Sequence, residues 1–158
     1  MSNNKIGKLK AQLFNKAQQR YSKTVQALTR FISFKELNLA NNDVSFVTKQ
    51  FTQAIPHMEN LNMENNQLKG LKKETFFPTR KLIKLNLNGN RLADLPEMLF
   101  NPAECKLKAV FMKANQMKFL NQKVFANCGD LRHLFVSENQ ITKLPSKLLD
   151  VSFNFDIF

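Results

Sequence analysis

Few residues in this chain have side chains that could make or break bonds. There are two histidines, His57 and His133, and two cysteines, Cys105 and Cys128. None of them falls at the spacing of a zinc site. A glycine-rich phosphate loop, a nucleophile elbow and a pair of catalytic carboxylates are all missing from the sequence. Cys128 and His133 are near in sequence, but Cys128 belongs to a connecting segment rather than to the strand expected to carry His133. The chain is therefore not expected to be an enzyme, to take a small-molecule substrate, or to need a cofactor or metal. What remains is recognition chemistry: amide hydrogen bonds from many asparagines, aromatic surface and charge.

The asparagines point to the elements that position everything else. Reading from Phe34, apolar residues recur at positions 1, 4 and 6, asparagine at 9, and apolar residues at 11 and 14. The first copy is Phe34, Leu37, Leu39, Asn42, Val44 and Val47, and the fifth is Leu131, Leu134, Val136, Asn139, Ile141 and Leu144. The intermediate copies start at Met58, Leu82 and Leu107, so successive starts lie 24, 24, 25 and 24 residues apart. Alternation at positions 4 and 6 predicts a short strand with one face inward. A single copy cannot bury its apolar edge, so copies must stack. The turn after each strand leaves backbone donors and acceptors facing the core, and an asparagine amide satisfies both. Asn42, Asn66, Asn90, Asn115 and Asn139 are thus expected to form a structural ladder between coils.

This pattern resembles the leucine-rich repeat family in its 24-residue form, over about Phe34 to Phe158, roughly four-fifths of the chain. A later phenylalanine of that form is present as Phe51, Phe76, Phe100 and Phe125, and the Leu-Pro pair as Leu95-Pro96 and Leu144-Pro145. The resemblance implies an α/β right-handed solenoid with a parallel sheet on its concave side. It also implies a non-catalytic scaffold that binds another protein on that face.

The division expected is a basic amphipathic helix over residues 1–33, capping a solenoid of five regular repeats and a short sixth over 34–158. Ile6, Leu9, Leu13, Ala17, Tyr21, Val25, Leu28 and Ile32 trace one helical stripe. Of the net +12, the segment Met1–Lys35 supplies eight basic residues and no acid. Lys5, Lys8, Lys10, Lys16, Arg20 and Lys23 are the candidate contacts to RNA or another anionic surface, the alternative being a solvated helix face. If they bind RNA, the chain reads as a structural subunit of a ribonucleoprotein assembly such as a ribosome.

At the other end the pattern restarts early, as Leu149, Val151 and Asn154. The crowded phenylalanines that follow imply association, a larger parent chain or unusual packing over the last coil.

No apolar run approaches the roughly 18 residues needed to span a bilayer, and the first 30 residues lack the continuous apolar core of a secretory signal. Attachment to a membrane surface through the helix is weakened by the lack of Trp and the single Tyr. Two cysteines are too few for a disulfide framework. They occupy similar places in neighbouring repeats, so a bridge is conceivable, but two thiols are the favoured reading. No asparagine begins an Asn-x-Ser/Thr sequon. The chain reads as intracellular and cytoplasmic, with a mitochondrial address as the alternative that a basic, acid-free helix suggests.

In the expected geometry, strand positions 3, 5 and 7 face outward. Position 5 reads Asn38, Asn62, Asn86, Phe111, Phe135 and Asp150; position 3 reads Glu36, Asn60, Lys84, Ala109 and His133; position 7 reads Ala40, Glu64, Asn88, Lys113 and Ser137. Phe111 and Phe135 should be neighbours about 5 Å apart. With Lys113, Lys84 and His133 around them, and Asn86, Asn62 and Glu64 beyond, they form the candidate partner-binding site. The alternative is that a terminal segment of the same chain covers them.

Overall fold

Each repeat begins on a three-residue strand whose middle residue is buried, because only that side chain of the alternating trio points into the coil. The structure is a computed structural model, and it describes residues 35–143, 145 and 154–156. Strands β1 (Glu36–Asn38), β2 (Asn60–Asn62), β3 (Lys84–Asn86), β4 (Ala109–Phe111), β5 (His133–Phe135) and β6 (Asn154–Asp156) follow in chain order. They form one parallel sheet in that same order. Sequence order equals spatial order, so each coil contacts its neighbours alone and the molecule is a parallel β-solenoid. Between strands the chain returns through irregular segments, a short helix α1 (Lys49–Gln53) and a 3-10 turn at Gln122–Val124. The N-cap of α1 is Thr48, whose side chain accepts a hydrogen bond from the Phe51 N–H.

The strand register matches the repeat read from sequence: Leu37 faces Leu61, then Leu85, Val110 and Leu134. These residues, with Leu39, Met63, Leu87, Met112 and Val136, are buried in one continuous core. On the return side, Phe76 stacks on Phe100 at 5.5 Å and Phe100 on Phe125 at 5.8 Å between ring centres. All three are buried, so the later phenylalanine of the repeat forms a second spine.

The asparagine ladder is present. Asn90 Oδ1 accepts from the Leu68 N–H at 3.0 Å, while its Nδ2 donates to Met63 O and Leu87 O, each at 3.0 Å. Asn66, Asn115 and Asn139 repeat this arrangement one coil apart. Each amide therefore closes its own turn and ties it to the preceding coil. Exposed ion pairs add further rungs between coils: Lys35–Glu59, Lys49–Glu74, Arg80–Glu104 and Lys123–Glu97. Such pairs are individually worth little.

Two expectations need correction. The sixth strand does not start where Leu149, Val151 and Asn154 would place it. Asn154 lies in β6 itself, opposite His133, with Phe155 opposite Leu134 and Asp156 opposite Phe135. Asp156, not Asp150, therefore shares the register position of Phe111 and Phe135. The physical reason is that Leu149, Val151, Phe153, Phe155 and Ile157 all alternate, and a period of two offers several equivalent registers. Second, Cys105 and Cys128 are not two thiols but a disulfide linking consecutive coils, with their Cα atoms 4.9 Å apart. Cys128 is buried although its segment returns on the side away from the sheet. The expected helix over residues 1–33 lies outside the described residues.

Candidate binding face on the parallel sheet

The outward side of the sheet divides into two halves with different chemistry. In the first three strands, position 5 is asparagine, and its side chain works locally. Asn38 Oδ1 accepts from the Ala40 N–H at 2.9 Å, Asn62 Oδ1 from the Glu64 N–H at 3.0 Å, and Asn86 Oδ1 from the Asn88 N–H at 3.0 Å. Each asparagine thus caps the end of its own strand. Neighbouring polar groups are also engaged: Asn60 donates to Glu36 at 3.1 Å, and Asn86 donates to Glu64 at 3.2 Å. Asn62, Asn86 and Glu64 are half-buried within this network rather than free.

In β4 and β5 position 5 is phenylalanine, which cannot cap. The N–H of Lys113 is instead taken by Asn88 Oδ1 from the adjacent coil, at 2.8 Å. The space released is filled by an aromatic pair. Phe111 and Phe135 stack with ring centres 4.7 Å apart and planes 10° from parallel. Both rings are half-buried, so part of their surface faces water. Lys84 Nζ sits 5.0 Å from the Phe111 ring centre and Lys113 Nζ 5.5 Å from that of Phe135. The His133 ring lies parallel to Phe135 at 6.2 Å.

The structure therefore brings together Phe111, Phe135, His133, Lys84 and Lys113 in one cluster, and joins Asn62, Asn86 and Glu64 in an adjoining polar network. Ser137, expected to face outward, is buried. Lys5, Lys8, Lys10, Lys16, Arg20 and Lys23 lie outside the described residues.

Two contributors carried a signal that the outward-position reading passed over. Ala109 stands between Lys84 and His133 in register and leaves a gap there. Lys108 and Arg132, at position 2, take equivalent places in consecutive coils: the Lys108 N–H donates to Ile83 O and the Arg132 N–H to Lys108 O. Both side chains are exposed at the edge where the strands begin. Their common repeat number was visible in the sequence.

Among the described residues, no three His, Cys, Asp or Glu side chains are grouped to hold a metal ion. No helix among them is long and apolar enough to cross a membrane.

Comparison with known proteins bears on the fold. No curated protein matches the sequence. Among solved structures the chain is similar to one from the Toll–Spatzle complex in its glycosylated form, described as a molecular hub in Drosophila development and innate immunity. The TM-score is 0.60 and the identity 19%, over 76% of this chain and 19% of that one. The chain thus spans about a fifth of that protein's length, and the likeness is one of fold. Residues 32–92 match the family model described as leucine rich repeat. The same asparagine-anchored coil continues beyond that match to Asn139, so the leucine-rich repeat likeness holds both in the matched residues and in the fold.

Proposed function

We propose that this chain is a non-catalytic scaffold that receives a protein partner on the outward, concave face of its right-handed coil, centred on Phe111 and Phe135. Solenoids of stacked repeats expose extended surfaces of this kind, and leucine-rich repeats generally mediate protein–protein contact. One observation carries the reading. An aromatic pair occupies two positions where the first three coils place a strand-capping asparagine, and its rings remain partly open to solvent. Clustered aromatics bordered by cations are the composition of energetic centres in protein interfaces.

The Cys105–Cys128 bridge supports a second element of the proposal, that the protein matures in an oxidising compartment rather than in the cytoplasm.

The test is affinity capture from native extract with the wild-type chain and with Phe111→Ala combined with Phe135→Ala, with and without nuclease and at high salt. A protein retained by the wild type after nuclease and high salt, and lost with the double variant, is the expected result. Capture that survives the double variant would sink the proposed face. Capture abolished by nuclease would favour the ribonucleoprotein alternative instead.

A further inference from the structure

We propose that the partner segment taken by this face is an acidic stretch of polypeptide in which carboxylates flank an apolar side chain. The inference rests on the reading of the sheet face as the docking surface, and adds the chemistry of what docks.

Charge on the face is segregated. At the outward positions of β1 to β5 the two acids, Glu36 and Glu64, lie in the first two coils and are hydrogen-bonded to Asn60 and Asn86, while Asp156 of β6 pairs in register with Phe135. In β4 and β5 the aromatic pair has cations beside it and at the strand-entry edge: Lys84 beside Phe111, Lys113 beside Phe135, and the exposed Lys108 and Arg132. Among the described residues, Lys84 and Lys108 have no carboxylate within ion-pair distance, whereas Lys35, Lys49, Arg80 and Lys123 each have one. A partner with carboxylates supplies what these two lack, and like charge is repelled.

The shape adds the apolar element. In register across β3, β4 and β5, position 3 reads Lys84, Ala109 and His133. Two strand spacings of about 4.8 Å separate the backbones of the outer two, and the small Ala109 side chain leaves a notch between theirs. The Phe111 and Phe135 rings, two residues further along their strands, form its far wall. The proposed partner's apolar side chain lies in this notch, with its carboxylates toward Lys84 and His133. The cation–π contacts also hold the ammonium of Lys84 near one place, which reduces the ordering cost of pairing.

The same geometry removes Phe111 as a platform for a nucleic-acid base. By strand order, Lys84 approaches Phe111 from the β3 side and Phe135 from the β5 side. Phe111 therefore has no open face on which a base could stack.

The experiment uses calorimetric titration of the full chain with three probes: a synthetic peptide of repeated Glu-Leu-Glu, its Glu-Gly-Glu counterpart, and an oligouridylate of equal charge. The protein variants are Lys84→Gln with Lys108→Gln, and Lys69→Gln with Lys118→Gln, which removes the same charge from exposed positions away from the strands. Glu-Leu-Glu should bind at least about tenfold more tightly than Glu-Gly-Glu, the effect of burying one leucine side chain. The face variant should weaken it about tenfold and the other variant less than about twofold.

Equal binding of the two peptides, or equal loss with both charge variants, would reduce the effect to general attraction for a basic chain and overturn the proposal. Tighter binding of oligouridylate, lost with Lys84→Gln and Lys108→Gln, would overturn it in favour of nucleic acid. If no peptide binds while capture from extract still depends on Phe111 and Phe135, the acidic partner falls and the docking face stands. If capture ignores those phenylalanines, both fall.

Discussion

Asn88 reaches across one coil to hold the Lys113 N–H, at 2.8 Å, in the place where Phe111 gave up the capping role that Asn38, Asn62 and Asn86 perform in their own strands. The fold therefore replaces the cap from next door. Phe111→Asn restores the local cap at the expense of the ring stack. We expect its stability to fall by no more than about 1 kcal/mol in urea denaturation, since a capping hydrogen bond is worth about that much. Partner capture should nevertheless be lost. Stability reduced by about 3 kcal/mol or more would instead mark Phe111 as a core residue.

Asn90 should be costly to remove, and Asn42 less so. Asn90→Ala leaves the Leu68 N–H without its acceptor inside the core and takes one of two amide donors from the carbonyls of Met63 and Leu87, which keep Asn66 and Asn115. Roughly 1–3 kcal/mol for the buried N–H left unpaired, with the weakened tie between coils, predicts a clear loss of stability. Asn42 is half-buried and donates to carbonyls of its own turn, Leu39 O and Ala40 O. Comparable urea midpoints for the two alanine variants would contradict the ladder's role in joining coils.

The ladder, the strand register and the inward row from Leu37 to Leu134 were legible because the stacking requirement repeats at a fixed period. The pairing of Phe111 with Phe135 followed from the same count, since parallel register places equal repeat positions side by side. The sixth strand was not legible, because the tail alternates throughout and its one asparagine, Asn154, mimics a turn position while lying in the strand itself. Nor was the disulfide: equal repeat position brings two cysteines close, but proximity does not distinguish thiols from a bridge. The role of Asn88 was hidden because its acceptor is spent on a coil 25 residues away.

Glu97 provides a pH-dependent reporter of the contact between coils. Its carboxylate is held below the ordinary value first by a hydrogen bond from Asn121 at 3.2 Å and then by Lys123 at 3.4 Å. A folded-state pKa below the unfolded one gives a contribution present above the unfolded pKa and lost as pH falls through the folded value. In a carbon-detected NMR titration, Asn121→Ala should move the Glu97 midpoint upward. An unchanged midpoint would remove Asn121 as the main cause.

The link between Cys105 and Cys128 closes a segment with a sequence separation of 23. Loop-closure entropy for that length corresponds to about 3 kcal/mol of stabilisation. Protein from its native source, unfolded in an alkylating agent without reductant, should take up no label at either cysteine. Reductant should then lower the thermal midpoint by several degrees. Two labelled cysteines in the unreduced native protein would refute both the bridge and the oxidising compartment proposed from it.

Position 8, the residue just before each ladder asparagine, takes the left-handed backbone in every regular coil: φ is 57° at Asn41, 53° at Asn65, 62° at Gly89, 51° at Ala114 and 56° at Glu138. Asparagine and glycine tolerate this conformation, but alanine bears its cost of roughly 1–2 kcal/mol with no side-chain hydrogen bond in return. Ala114→Gly removes that strain and costs somewhat less than 1 kcal/mol in added freedom of the unfolded chain. The expected net gain is about 0.5–1 kcal/mol, or roughly 1–4 °C in thermal midpoint for a chain of this size. Gly89→Ala should act in the opposite sense and more strongly, because its Cβ would also meet the Asn65 side chain. If Ala114→Gly lowers the midpoint instead, the left-handed turn is not the source of strain at this coil.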